Sequence, residues 1–183
     1  MCEPIVPDLN AEEYLSWEAR REERFELHHG FVVAFAGGTL DHDTLAFNLR
    51  TALARGSAPP CRTFGSDVKV QVGVATIYYS DAGVVCEEQE GSDTIVRRPL
   101  VVCEVLSERT RTYDLIDKRA AYRELESLAC IAIVHQRLRR VEVDVRRDGG
   151  AWQRSITEDG SVFVGRCEVA LDDLYAGTAI ALA

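Results

Sequence analysis

The segment 100–106 reads Leu-Val-Val-Cys-Glu-Val-Leu, an apolar run carrying a single charge at Glu104. Runs of this kind occur where a strand is covered on both faces, so the segment predicts a buried strand in a sheet flanked by helices. Its one carboxylate constrains the chain further. Burying an ionised carboxylate unpaired costs several kcal/mol or more, so Glu104 has to be protonated, ion-paired or bound to a cation. Partners for it are close in sequence: Asp81 lies within the apolar segment 77–86, and Lys118 lies in the segment that follows Glu104.

The pattern on either side supplies the frame. Asn10 and Glu13 have the spacing of a capping box, and Tyr14, Leu15 and Trp17 begin a short amphipathic helix. Phe25 to Leu27 and Phe31 to Phe35 flank His28-His29-Gly30, a hairpin signal. Thr39 or Asp41 can cap a second helix with Leu45, Leu49 and Leu53 at helical spacing, which Gly56 and Pro59-Pro60 end. Three strands follow, at 67–74, 77–86 and 100–106, with a polar acidic connection at 87–93. A third helix is expected from Tyr113 or Asp114 to about Ser127, and at 100° per residue Lys118 falls within its stripe of Leu115, Tyr122 and Leu125. Further strands are expected at 131–135 and 141–145, and a hairpin at 152–164 broken at Asp159-Gly160. With 183 residues and no repeat or linker, the chain reads as one α/β domain, 1–183: a mixed sheet against helices, with an N-terminal helix and hairpin and a C-terminal β extension.

Composition narrows the function. The 46% hydrophobic content is spread in short blocks, none near the length of a bilayer span, and no leader-like segment is present, so a cytoplasmic address is expected. The six cysteines show no CxxC pair, which argues against zinc; Cys86, Cys103 and Cys130 lie in apolar runs and read as small hydrophobes of a reducing compartment. A net charge of -9 opposes loose attachment to nucleic acid, so any contact with DNA must be local. The small basic clusters at Arg97 and Arg98, at Arg109 and Arg111, and at Arg137, Arg139 and Arg140 read as solvated surface.

Asp81 and Glu104 together suit a hard cation such as magnesium, which is commonly held by one or two carboxylates, with waters and substrate phosphate completing its shell. A lysine beside them can position an attacking water and offset the repulsion of the acids. The bland alternative is that Asp81 caps a turn while Glu104 and Lys118 form a structural ion pair.

The stretches EEYLSWE, RFELHHG, HDTLAFNL, SDVKV, YYSDAGVVCE, LVVCEVLSERT, DLIDKRAAYRELESL and VEVDVRRDGGAWQ, in this order from Glu12 to about Leu174, resemble the Uma-type family of endonucleases in the PD-(D/E)XK, or restriction-endonuclease-like, superfamily. The resemblance implies a restriction-endonuclease-like α/β fold and metal-dependent hydrolysis of DNA phosphodiesters with Mg²⁺ or Mn²⁺. By it, Asp81 matches the motif aspartate, Glu104 the metal-binding acid and Lys118 a lysine supplied from the next helix. Leu106 stands where the usual motif lysine would be, and Ser80 replaces the motif proline. Glu26 matches an acid of the first hairpin and is a further metal ligand on this reading, although a hairpin surface charge explains it equally. His42 can bind phosphate or act as a base, or simply cap and pack its helix. Asp67 and Lys69 form a runner-up D-x-K on one strand face. A homodimer suits cleavage of both strands of a duplex. The rival function is a non-catalytic nucleic-acid or protein-interaction module that keeps the fold and uses the acids structurally.

Overall fold

The computed structural model describes residues 8–35, 37–106 and 113–182. Helix α1 (Ala11–Glu18) starts with the expected capping box: Asn10 accepts from the Glu13 N–H at 3.0 Å and Glu13 accepts from the Asn10 N–H at 2.9 Å. Strands β1 (Phe25–His28) and β2 (Phe31–Ala34) form the predicted hairpin. Its two turn residues, His29 and Gly30, both take positive φ, 48° and 88°, the geometry that matches the twist of paired strands. Thr39 is the cap of α2 (Leu40–Gly56), whose Leu45, Leu49 and Leu53 are fully buried.

The strands that follow are β3 (Arg62–Gly65), β4 (Lys69–Gly73), β5 (Thr76–Tyr79), β6 (Ala82–Val85), β7 (Ile95–Val96) and β8 (Val101–Leu106). A π-helical turn (Tyr113–Lys118) runs into α3 (Arg119–Arg123), followed by β9 (Cys130–His135), β10 (Val141–Arg146), β11 (Trp152–Thr157), β12 (Ser161–Val164), β13 (Cys167–Ala170) and α4 (Leu171–Tyr175). They assemble into a five-stranded sheet, β2-β1-β5-β4-β7, a six-stranded sheet, β11-β10-β9-β8-β6-β3, and the β12-β13 hairpin. Only β8-β9 is parallel in the larger sheet. One face of that sheet, with Val101, Cys103, Val105, Val141 and Val143, packs on α2, α4 and the β12-β13 hairpin. The other, with Val102, Leu106, Ile131 and Ile133, packs on α3 and the smaller sheet.

Several expectations change. The single strand at 77–86 is two, because the chain leaves one sheet and enters the other at Ser80-Asp81; both pieces are buried throughout, so their apolar pattern hides the break. Strands β3 and β7 are additions. The hairpin at 152–164 does not form: β11 pairs with β10 along all six of its residues, and β12 pairs with β13, its match in length. The third helix stops at Arg123, four residues short, where the Glu124 N–H turns back to the Ala121 carbonyl. Cys86 is not a free core thiol but is disulfide-bonded to Cys61, where the two cysteines flank the paired strands β3 and β6; Cys103, Cys130 and Cys167 are free and buried. Among the described residues no helix is long and apolar enough to cross a membrane.

Candidate active site

The break between β5 and β6 positions Asp81. In the β6-β8 register Ala82, the residue after Asp81, pairs with Cys103, the residue before Glu104. Asp81 Oδ2 accepts from the Val105 N–H at 2.7 Å and lies 3.4 Å from His42 Nε2. Its Oδ1 accepts no hydrogen bond among the described residues, and the hydroxyl of the adjoining Ser80 is buried without a partner there. His42 gets this close to Asp81 over Gly38, where a Cβ would meet the imidazole Nδ1 at 2.7 Å.

Glu104 is 2% exposed and points toward α3. Its Oε1 accepts from the Tyr122 hydroxyl at 2.6 Å, and its Oε2 is 3.6 Å from Lys118 Nζ. Lys118 also donates to Glu26 Oε1 at 2.8 Å, an oxygen that accepts the Tyr79 N–H at 2.9 Å as well. Lys118 ends the π-helical turn and Tyr122 lies four residues later in α3, so both side chains reach Glu104 from one face. A π turn inserted in a helix is a recurrent mark of functional sites because it re-aims the side chains around it. Burial, and then the Glu104 carboxylate, push the Tyr122 pKa well up, which keeps its phenol a donor. Further out, His28 Nδ1 is 2.6 Å from the Tyr78 hydroxyl, and the Tyr78 ring lies 5.3 Å from Lys118 Nζ. Burial, helped by His29 and Lys118 against the pull of Asp117, holds the His28 pKa below the ordinary imidazole value.

Thus Glu104, Lys118 and Glu26 meet where the two sheets adjoin, and Asp81 enters β6 beside them, bound to the Val105 N–H. Glu26 comes from β1 of the smaller sheet and is a buried partner of Lys118, not a hairpin surface charge. The cluster is nearly closed: Asp81 is its most exposed member at 9%, and the His42 side chain beside it reaches 17%, so what access exists is on that side. The runner-up pair separates instead. Asp67 is exposed and pairs with Arg24, while Lys69 Nζ lies 3.1 Å from Glu18 Oε2. Arg98 pairs with Glu87, Arg139 with Asp172 and Arg140 with Glu158, all toward solvent; Arg109 and Arg111 lie outside the described residues. Tyr122 is the site residue that periodicity alone concealed, since it reads as plain stripe; its spacing of four from Lys118 is the signal.

Among the described residues no group of three His, Cys, Asp or Glu side chains is arranged to hold an ion. A hard cation does not require three, because one or two carboxylates suffice. Asp81, at the entry to β6, and Glu104, on the neighbouring β8, are oxygen donors, and Oδ1 of Asp81 is not used by a protein donor among the described residues, so the residues present fit such a cation.

The mixed sheets, the flanking helices and the acids at the sheet junction define a restriction-endonuclease-like protein. The fold superposes with TM-score 0.74 on the crystal structure of "a putative nuclease belonging to DUF820" from Anabaena variabilis, at 14% identity, covering 92% of this chain and 98% of that one. Residues 11–172 match the Uma2 family model, described as "Putative restriction endonuclease", and the chain belongs to that family. Two Synechocystis proteins of the curated set are similar as well. The protein slr1290 is 31% identical over 150 residues, 80% of this chain and 78% of its own, and sll1609 is 30% identical over 139 residues, 73% and 78%.

Proposed function

We propose that this protein is a metal-dependent endonuclease that hydrolyses DNA phosphodiester bonds at the Asp81–Glu104–Lys118 cluster. The observation that carries the reading is the placement of Asp81, bound to the Val105 N–H, next to Glu104, with a lysine ammonium 3.6 Å from Glu104, on a nuclease-like fold. Asp81 and Glu104 would hold Mg²⁺ or Mn²⁺, with Glu26 behind them through Lys118. The cation, when bound, supplies Lewis-acid polarisation of a phosphoryl oxygen. The chain's own groups do the rest. The Val105 N–H and His42 fix Oδ2 of Asp81 and leave Oδ1 toward the incoming ligand. Tyr122 fixes Oε1 of Glu104. Lys118 stands in for the lysine absent at Leu106, reaching the same acid from the helix, where its charge can orient a water and balance the developing negative charge. Two symmetric copies of the site would cut both strands of a duplex, so a homodimer belongs to this reading.

One observation favours a second reading. Leu106 is buried apolar surface where the motif lysine would stand, and Glu104, Lys118 and Glu26 partner one another deep in the protein, as a structural ion-pair network in a non-catalytic module would. Plasmid cleavage with Mg²⁺ and Mn²⁺ separates the two. The nuclease reading predicts metal-dependent nicking that falls about 10³-fold in Asp81→Asn and Glu104→Gln, several kcal/mol of transition-state stabilisation. Full metal-dependent cleavage by both variants, or no calorimetric binding of either cation by folded protein, rejects it.

A further inference from the structure

Beside the acidic cluster lies a second charged group that faces a groove open to solvent, and we propose that this groove binds a backbone phosphate of the nucleic acid, neighbouring the one to be cut. The proposal rests on the nuclease reading and adds the contact that a chain of net charge -9 needs. Glu142 and Asp144, two apart on β10, lie on the same face of the sheet as Glu104. The register shows this directly, because Glu104 pairs with Ile133 and Ile133 with Glu142. Two interstrand steps place this group about 10 Å from Glu104.

Three guanidinium groups converge on these two acids. Arg119 donates to Glu142 at 2.8 Å and its Nε stands 3.7 Å from Asp144. Arg123 donates to Asp144 at 2.6 Å. Arg154, from the edge strand β11, donates to Asp144 at 2.8 Å and reaches within 3.9 Å of Glu142. His135 Nε2 is 2.9 Å from Glu142. The groove is lined by Ile116, Arg119, Ala120, Arg123, Glu142 and Arg154.

Three observations point to an anion. Three guanidiniums face two carboxylates, so these five groups keep an excess of positive charge in a strongly acidic chain. The carboxylates hold the guanidiniums in place, so their planar forks are oriented before any ligand arrives, which suits phosphate recognition. The Arg123 and Arg154 side chains are 35% and 42% exposed, so both keep guanidinium surface open to solvent at the groove they line. The separation of about 10 Å suits a phosphate one or two nucleotides along a strand whose scissile phosphate sat at Asp81 and Glu104. Lys118 and Arg119, consecutive in sequence, thus face two adjoining sites.

The test uses the full chain and fluorescence anisotropy with labelled duplex and single-stranded oligonucleotides, without divalent cations so that cleavage plays no part. Affinity is followed from 50 to 200 mM salt. Losing one phosphate contact should reduce the slope of log K against log salt by about 0.9 for duplex or 0.7 for single strand. Arg123→Gln and Arg154→Gln should each therefore lose about threefold less affinity over that range than the wild type. Arg154→Lys should keep most of the slope, and Arg97→Gln, which removes the same charge on another exposed surface, should leave it unchanged. Should loss of Arg123 impair folding, Ala120→Glu places a negative charge on the exposed lining of the same groove and should weaken binding. Wild-type slopes in Arg154→Gln and Ala120→Glu would overturn the groove while leaving the cleavage test of Asp81 and Glu104 standing. Inorganic phosphate that competes far beyond matched chloride would also overturn it, in favour of a small-anion pocket. A wild type that binds no oligonucleotide at 50 mM would remove this proposal together with the nucleic-acid reading.

Discussion

Two charged clusters share one face of the six-stranded sheet, and they are built with opposite balances. Around Lys118, two carboxylates, Glu26 and Glu104, share one ammonium, and a third, Asp81, takes the Val105 N–H next to Glu104. Around Asp144, three guanidiniums surround two carboxylates. The first cluster is closed and bridged by one ammonium; the second is half open and bridged by three guanidiniums. The difference teaches what each can accept. An excess of buried acid is relieved by a cation, whereas an excess of oriented guanidinium is relieved by an anion, so neighbouring sites on one sheet can serve the metal and the phosphate chain of the same substrate.

Stability offers the largest contrast. Lys118→Met removes the only ammonium that bridges Glu26 and Glu104 among the described residues, and stranding buried charges of one sign should cost about 3–5 kcal/mol in urea unfolding. Arg123→Gln leaves Asp144 with Arg154 and Arg119, and Arg123 is a third exposed, so its loss should cost about 1 kcal/mol or less. Equal costs would mean that the clusters do not differ in the way proposed. Cation binding should separate them next. At a hundredfold excess over Kd, Mg²⁺ or Mn²⁺ should stabilise the wild type by about 2.7 kcal/mol. Arg154→Gln should keep that gain, and Asp81→Asn and Glu104→Gln should lose it. Loss of the gain in Arg154→Gln would place the cation at the wrong cluster.

The unequal visibility of these clusters in the sequence has a physical cause. Asp81, Glu104 and Lys118 stood out because each interrupts an apolar pattern, and a charge in an apolar run demands a partner. Their meeting also depended on the helical phase of Lys118, which periodicity placed correctly even though the helix begins as a π turn and ends at Arg123. The other cluster escaped notice because Glu142 and Asp144 alternate with Val141, Val143 and Val145, which reads as the wet face of a strand. Only the pairing of β9 with both β8 and β10 shows that this face is the continuation of Glu104's row. The division of 77–86 between two sheets was invisible for a related reason: a strand buried in either sheet has the same composition. Cys61 and Cys86 are 25 residues apart, and only the β3-β6 pairing brings them side by side.

The smallest expected effect is in the pH dependence of stability, where each cluster should leave its own limb. Burial pushes the carboxyls of Glu142 and Asp144 up, but hydrogen bonds outweigh it, from Arg119 and His135 onto Glu142 and from Arg154 and Arg123 onto Asp144, and both pKa values end below their ordinary ones. Unfolded chains then bind more protons than folded ones just below about pH 4, so this stabilisation is complete above the ordinary carboxylate range and is lost as pH falls through it. Arg154→Gln should make that acid limb shallower. His28, beside Tyr78 and Lys118, is also depressed, by burial first. Its unfolded imidazole therefore takes up a proton first, and stability should begin to fall as pH drops below about 6.5, well before the carboxylates respond. His28→Gln should erase this upper limb and spare the acid one. Urea midpoints measured from pH 8 to 3 in the two variants test the assignment: if either substitution flattened both limbs, the clusters would be titrating as one network across Ile133 and not as two sites with separate charge balances.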